Sequence, residues 1–475
     1  MIFHSFDFVF FLTIVIGGYW LLGHRVQNIF LLLASYYFYG YVYPWFLYLI
    51  LASTVVDYSC GLAIVRFPKR KKIFLYLSLL TNLGLLGVFK YFGFFVDNVI
   101  LLLTELGLPS FTNTISIILP VGISFYTFQT LSYTIDVYWG RMTPRRNFID
   151  FALYVSFFPQ LVAGPIERAN RLLTQIEKKR VYSHQMMREG IFLIVWGFFK
   201  KLVIADNVAV IANMVFALEN PSFYILWAGV FAFTIQIFGD FSAYTDIARG
   251  SAKLLGINLS PNFNHPYIAI SPADFWSRWH ISLSSWIKDY VFTPVTYSVM
   301  RRYRNPFISN QVGILITFLV IGFWHGPSWN FILFGLYFSS IYFIFDIFKR
   351  VVPLHISKST AIQPLRMILM FVLFNISMLI FRGGEMVWIW HYFSLSPFGV
   401  DPQERQMALF LFSKALLYSI PIWLHIIYAH VRKLSYFQNR LQLLDHVNVA
   451  AVIVMFFGIL ILHSQVSSNF IYFQF

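Results

Sequence analysis

Apolar residues run along this chain in long blocks, broken by short polar loops. The blocks fall at Asp7–Leu22, Asn28–Tyr43, Trp45–Val65, Ile73–Tyr91, Ile115–Trp139, Phe148–Ala163, Ile191–Phe199 with Leu202–Leu218, Phe223–Phe238, Val312–Phe323, Trp329–Phe345, Leu365–Phe381, Met407–Tyr428 and Val447–His463. Crossing a bilayer takes about 20 apolar residues in one helix. The pattern predicts an all-α, polytopic integral membrane protein with about 11 to 13 transmembrane or re-entrant helices. Phe94–Leu106 carries Asp97 and Glu105 and is expected to be re-entrant or interfacial. No internal repeat and no appended soluble segment is evident, so residues 1–475 read as one membrane domain.

Basic residues cluster in the loops, most densely at Arg66 and Lys69–Lys72. The positive-inside rule makes that loop cytoplasmic, which puts the N-terminus outside. Phe8–Leu22 has no basic flank before it and no small-residue cleavage site after it, so it is expected to stay as the first span. The net charge of +15 therefore reports orientation and not nucleic-acid binding. Composition agrees: 58% of residues are hydrophobic and 12% charged, about half the roughly 25% of a soluble domain. The single cysteine, Cys60, excludes an intrachain disulfide and a Cys-rich metal site.

Three polar constellations interrupt the apolar pattern. The first is Ile321-Gly-Phe-Trp-His325-Gly-Pro-Ser-Trp329, inside an apolar run of 34 residues from Val312 to Phe345. As one helix that run would be about 51 Å long, so Gly326-Pro327 is expected to end or kink it beside His325. An ionisable residue at membrane depth is a functional candidate, and a buried neutral imidazole suits a general base. The bland reading is a histidine bonded to a nearby carbonyl.

The second runs from Ser271 to Tyr290. Ser271, Pro272 and Asp274 resemble a capping box. Phe275, Trp279, Leu283, Trp286 and Tyr290 would line one face of the helix that follows, beside a stripe of Trp276, His280 and Ser284. Asp274 and Arg278 stand at i,i+4, acid first. An interfacial anchor helix is the favoured reading from residue types alone. The third is Gly239–Arg249, where Asp240 or Asp246 is expected to pair with Arg249 or Arg278. A proline-punctuated polar loop, Asn258–Tyr267, follows. No phosphate-binding glycine loop, dinucleotide fingerprint, H-E-x-x-H zinc motif or serine-hydrolase elbow is present, so no metal is called for.

The segments Asp240-Phe-Ser-Ala-Tyr-Thr-Asp-Ile-Ala, Asp274-Phe-Trp-Ser-Arg-Trp-His-Ile-Ser-Leu-Ser-Ser-Trp and Phe323-Trp-His-Gly resemble the membrane-bound O-acyltransferase (MBOAT) family. Within it they are similar to the bacterial alginate O-acetyltransferase (AlgI) type, which is related to the D-alanyl transfer protein DltB. Leu119–Gln129, Phe158–Glu167 and the terminal Asn469–Phe475 agree, so the resemblance covers nearly the whole chain. It departs at Tyr290–Arg304, where that branch usually has a Pro-Leu-Gly-Gly-like turn.

The resemblance implies a ring of helices around a thinned centre with a tunnel, and His325 and His280 as the two family histidines. It implies an acyl group taken from a cytoplasmic donor, acetyl-CoA in this branch, with no tightly bound cofactor. The acceptor would be an extracytoplasmic polysaccharide, reached through a separate SGNH-type partner, in the bacterial inner membrane. Trp276, Arg278, Trp324 and Asn330 are the candidate tunnel lining, with Asp240 and Asp246 nearby. Alternatives are a same-family enzyme acting on peptidoglycan, teichoic acid or a membrane lipid, and a structural export protein. A proton-coupled transporter would use similar residues but more often has inverted repeats with paired broken helices; only one clear break is found here.

Overall fold

The computed structural model describes residues 1–109, 111–114, 117–162, 164–351, 361–431, 441–466, 468 and 470–471. Every regular element among them is helical. Ala163, Asn469 and residues 472–475, parts of the motifs quoted above, lie outside the described residues. Seven described helices are long and apolar enough to cross a membrane, and Phe6–Tyr19, Phe148–Leu161 and Asn448–Leu462 are shorter apolar ones. The chain is a multi-pass membrane protein. It divides into two compact units.

The first unit comprises Met1–Ile191, Ala248–Ser260 and Gly326–Ser328. Its helices are α1 (Phe6–Tyr19), α2 (His24–Gly40), α3 (Phe46–Arg66), α4 (Pro68–Glu105), α5 (Ile123–Tyr138), α6 (Phe148–Ser156), α7 (Phe158–Leu161) and α8 (Ala169–Glu177). Phe94–Leu106, expected to be re-entrant or interfacial, continues the preceding helix as far as Glu105. α4 runs unbroken for 38 residues, with one wide turn at Gly87–Tyr91 absorbing the register change. Nothing in Phe92–Glu105 breaks a helix, and its two acids lie on surface outside the protein core. Asp57 of α3 is fully buried. Its carboxylate accepts from Ser78 and Asn82 of α4 and from Thr134 of α5, so an intramembrane acid is satisfied by neutral donors. Lys71 lies over the Tyr138 ring at 4.8 Å, and Tyr58 donates to the Arg146 carbonyl at 2.6 Å. The two basic loops thus share one end of this unit.

The second unit comprises Phe192–Ile247, Pro261–His325 and Trp329–Phe475. Its elements begin within α9 (His184–Phe199), which passes through a wide turn at Lys200–Ala205 into α10 (Asp206–Phe216). α11 (Phe223–Leu254) follows, then the short α12 (Pro272–Arg278) and α13 (Ile281–Ile287), and α14 (Thr293–Tyr303). α15 (Pro306–His325) and α16 (Trp329–Val351) form a hairpin, followed by α17 (Gln363–Arg382), α18 (Met386–Ser394), α19 (Pro402–Val431) and α20 (Leu441–Leu462).

Ser271 caps α12 as expected, its hydroxyl accepting from Asp274 N at 3.1 Å. The single helix expected from there to Tyr290 is not formed. His280 takes the left-handed conformation (φ 41°), splitting the segment into α12 and α13. Spacing alone could not reveal this, because the apolar period carries across the break. A non-glycine residue in that conformation is costly and signals an imposed corner.

Candidate active site

The site grows from the hairpin of α15 and α16. Pro327 has no N–H to continue a helix, and α15 ends at His325 as the sequence predicts. The two helices then pack backbone to backbone. A Cβ on Gly322 would stand 2.1 Å from the Phe331 carbonyl oxygen, and one on Gly335 would stand 2.4 Å from that of Phe318. This closeness fixes where the last turn of α15 lies.

His325 is 5% exposed and set among rings: Trp324 at 4.9 Å, Phe381 at 5.0 Å and Phe334 at 5.7 Å, the last two edge-on. Asn330 is a scaffold for this cage. Its buried amide donates to the carbonyls of Ile380 and Phe381 at 3.3 and 3.0 Å, tying the end of α17 to the first turn of α16.

His280 comes from the corner between α12 and α13 and is 1% exposed. Its imidazole meets Phe241 edge-on at 4.7 Å and Trp324 at 5.7 Å. The two histidines, 45 residues apart in sequence, thus both contact one indole. Burial lowers the His280 imidazole from 6.5 to about 3, so it is held neutral. The polar loop before it makes the corner: Ile281 N donates to the Asn262 carbonyl at 2.9 Å, Ser282 N to Asn262 Oδ1 at 3.3 Å, and Asn264 N to the Arg278 carbonyl at 3.0 Å. Asn262 and Phe241 escaped the sequence reading; only the proline-punctuated polar run hinted that the loop had work to do.

The remaining candidates divide. Trp276 is buried against Phe318 and Phe338, at 5.2 and 5.0 Å, and its N–H has no acceptor among the described residues. Arg278 bonds Asp274 at 2.7 Å, the i,i+4 pair read from the sequence. The acids of α11 meet two lysines that the sequence did not suggest as partners. Asp240 pairs with Lys201 at 3.0 Å, and Asp246 meets Lys200 at 2.7 Å. Arg278 is spent on Asp274, and the wide turn at Lys200–Ala205 turns both lysines inward. Lys201 also binds Asp206 at 2.9 Å and the Ser468 carbonyl at 2.7 Å, while Asp240 accepts from Ile471 N at 2.7 Å. Phe470 stacks on Tyr244 at 4.0 Å. A buried triad of Lys201, Asp206 and Asp240 therefore holds Ser468 and Ile471, and the Phe470 ring lies 6.0 Å from that of Phe241.

Residues 143–388 match the MBOAT, membrane-bound O-acyltransferase family. The chain is similar to the probable alginate O-acetylase AlgI of Azotobacter vinelandii, 38% identical over 84% of this chain and 79% of that one. It is likewise 38% identical to the Pseudomonas aeruginosa protein of the same name, over 84% of this chain and 75% of that one. A peptidoglycan O-acetyltransferase of Helicobacter pylori is 34% identical over 71% of this chain and 68% of its own.

Proposed function

The chain belongs to the membrane-bound O-acyltransferase family and is an O-acyltransferase; from that premise we propose that it moves an acetyl group from acetyl-CoA, a cytoplasmic thioester donor, across the inner membrane for O-acetylation of an extracytoplasmic polysaccharide such as alginate. The names of its relatives support the acetyl group and the polymer acceptor. An SGNH-type partner completes delivery outside. The basic loops sharing one end of the first unit support a cytoplasmic face there and an external N-terminus. With α4 crossing once, Arg141, Arg145 and Arg146 fall on that same side.

The observation that carries the reading is the pair of buried imidazoles that both contact Trp324. His325 takes the proton of the attacking hydroxyl as its oxygen bonds to the thioester carbonyl carbon. The tetrahedral centre then collapses, the C–S bond breaks, and the departing thiolate receives that proton. General-base help of this kind is worth on the order of 10² to 10⁴ in rate. Dry aromatic walls limit hydrolysis of the thioester. His280, neutral, orients the acceptor; Trp276 and Trp324 wall the passage and Arg278 stands at its rim. Asn330, Asp240 and Asp246 support the walls from behind.

The test is acetyl transfer from labelled acetyl-CoA by protein reconstituted in vesicles. His325→Ala should lose nearly all transfer while unfolding at the same temperature as the parent. A folded, fully active His325→Ala protein rejects the assignment. Peptidoglycan is the second acceptor class, favoured by the Helicobacter pylori relative; supplying either polymer to the same vesicles separates the two.

A further inference from the structure

At the end of the α15–α16 hairpin remote from His325, five cations gather. Arg304 closes α14 in the left-handed conformation (φ 53°), and Asn305 caps α15, its side chain accepting from Phe307 and Ile308 N at 3.0 and 3.1 Å. This tight corner holds Arg301, Arg302 and Arg304 together. The end of α16 arrives beside it, with the Arg350 guanidinium 4.1 Å from the Phe307 ring centre and Lys349 next in sequence. All five cations are exposed. Four of them lie over rings: Arg301 over Tyr297, Arg302 over Tyr303, Lys349 over Phe345 and Arg350 over Phe307. The nearby acid, Asp346, is already engaged by Asn310 and Gln311 at 3.1 and 2.8 Å.

We propose that this corner is a docking surface for anionic phospholipid headgroups. The argument is one of charge and position. Exposed tyrosines beside arginines are the residue types of a bilayer's headgroup level, and a ring under a guanidinium strengthens its hold where water is scarce. Each cation near an anionic leaflet adds about 1 kcal/mol, roughly fivefold in binding. α15 has 20 residues, so the corner stands about 30 Å from His325 along the helix. A phosphate-bearing donor held there would present its acyl group far from the histidines. The surface therefore belongs to the lipid and is independent of the acyl-transfer reading.

The full chain in bilayers containing spin-labelled phosphatidylglycerol or phosphatidylcholine measures the preference directly. The parent should select phosphatidylglycerol several-fold, less so in high salt. A variant with Arg301, Arg302, Arg304 and Arg350 changed to Gln should lose that selection, and one with the same four changed to Lys should keep it. His325→Ala should select as the parent does, so a failed acyltransferase assignment leaves this result intact. Equal selection by parent and Gln variant, at matched unfolding temperature, overturns the proposal. So does displacement of the labelled lipid by coenzyme A.

Discussion

The indole of Trp324 lies 5.7 Å from the imidazole of His280, with the planes at 64°. His325 contacts the same ring at 4.9 Å. The side chain thus sets the spacing of the two nitrogen-bearing rings. Trp324→Ala should abolish acetyl transfer and also destabilise the fold, because emptying a buried tryptophan site costs about 3–5 kcal/mol. Trp324→Phe keeps a ring with less reach, and is expected to fold near normally while transfer falls with little change in KM. Unfolding curves and transfer kinetics on both variants check this.

How much of this site could be read from the chain depends on whether a residue's role is local. The break beside His325 was legible because Gly326-Pro327 interrupts a run too long for one span, and the Ser271 cap because its partner is three residues on. The corner at His280 was not, since its cause is the Asn262 backbone and amide gripping Ile281 and Ser282 from another segment. Nor were the partners of Asp240 and Asp246, which come from a wide helical turn about forty residues earlier. Lys200 and Lys201 sat in a gap between two apolar blocks and read as a boundary. The pairing of His280 with His325 as one site rests on family resemblance, and no periodicity joins them.

The buried triad makes a stability prediction. Lys201 is fully enclosed and faces Asp206 and Asp240 at 2.9 and 3.0 Å. Lys201→Met leaves two carboxylates without their cation, and breaking a buried pair in this way costs about 3–5 kcal/mol. Adding Asp240→Asn should recover part of that loss, because one of the stranded charges is gone. Chemical unfolding of the two single variants and the double variant gives the coupling directly, and additive effects would argue against a shared network.

His280 gives a pH dependence of defined sign. Burial holds its folded-state pKa near 3, whereas in the unfolded chain it titrates near 6.5. Below 6.5 the unfolded state therefore binds a proton that the folded state refuses. This group's contribution is fully present above pH 6.5 and is lost as pH falls towards 3, by up to about 1.4 kcal/mol per pH unit. Other groups titrate in that range too, so the comparison is with His280→Gln. The difference in stability between the parent and that variant should narrow steadily as the pH is lowered from 6.5. A constant difference would mean the imidazole is not held neutral by burial.

The hairpin that carries His325 supplies the last prediction. Gly322 of α15 lies so near the Phe331 carbonyl that an added methyl group would sit 2.1 Å from its oxygen, and the obstacle is backbone, which cannot swing aside. Small residues at such contacts let membrane helices approach closely. Gly322→Ala must then push α15 and α16 apart, three residues from His325. Overpacking of this kind typically costs 1–3 kcal/mol, and the displaced imidazole should lose most transfer even in the folded fraction. Gly17 of α1 is the control, as nothing lies within 4 Å of a Cβ placed there. Gly17→Ala should leave both unfolding temperature and transfer rate unchanged, while Gly322→Ala lowers both; equal behaviour of the two variants would show that the close helix contact does not position the histidine.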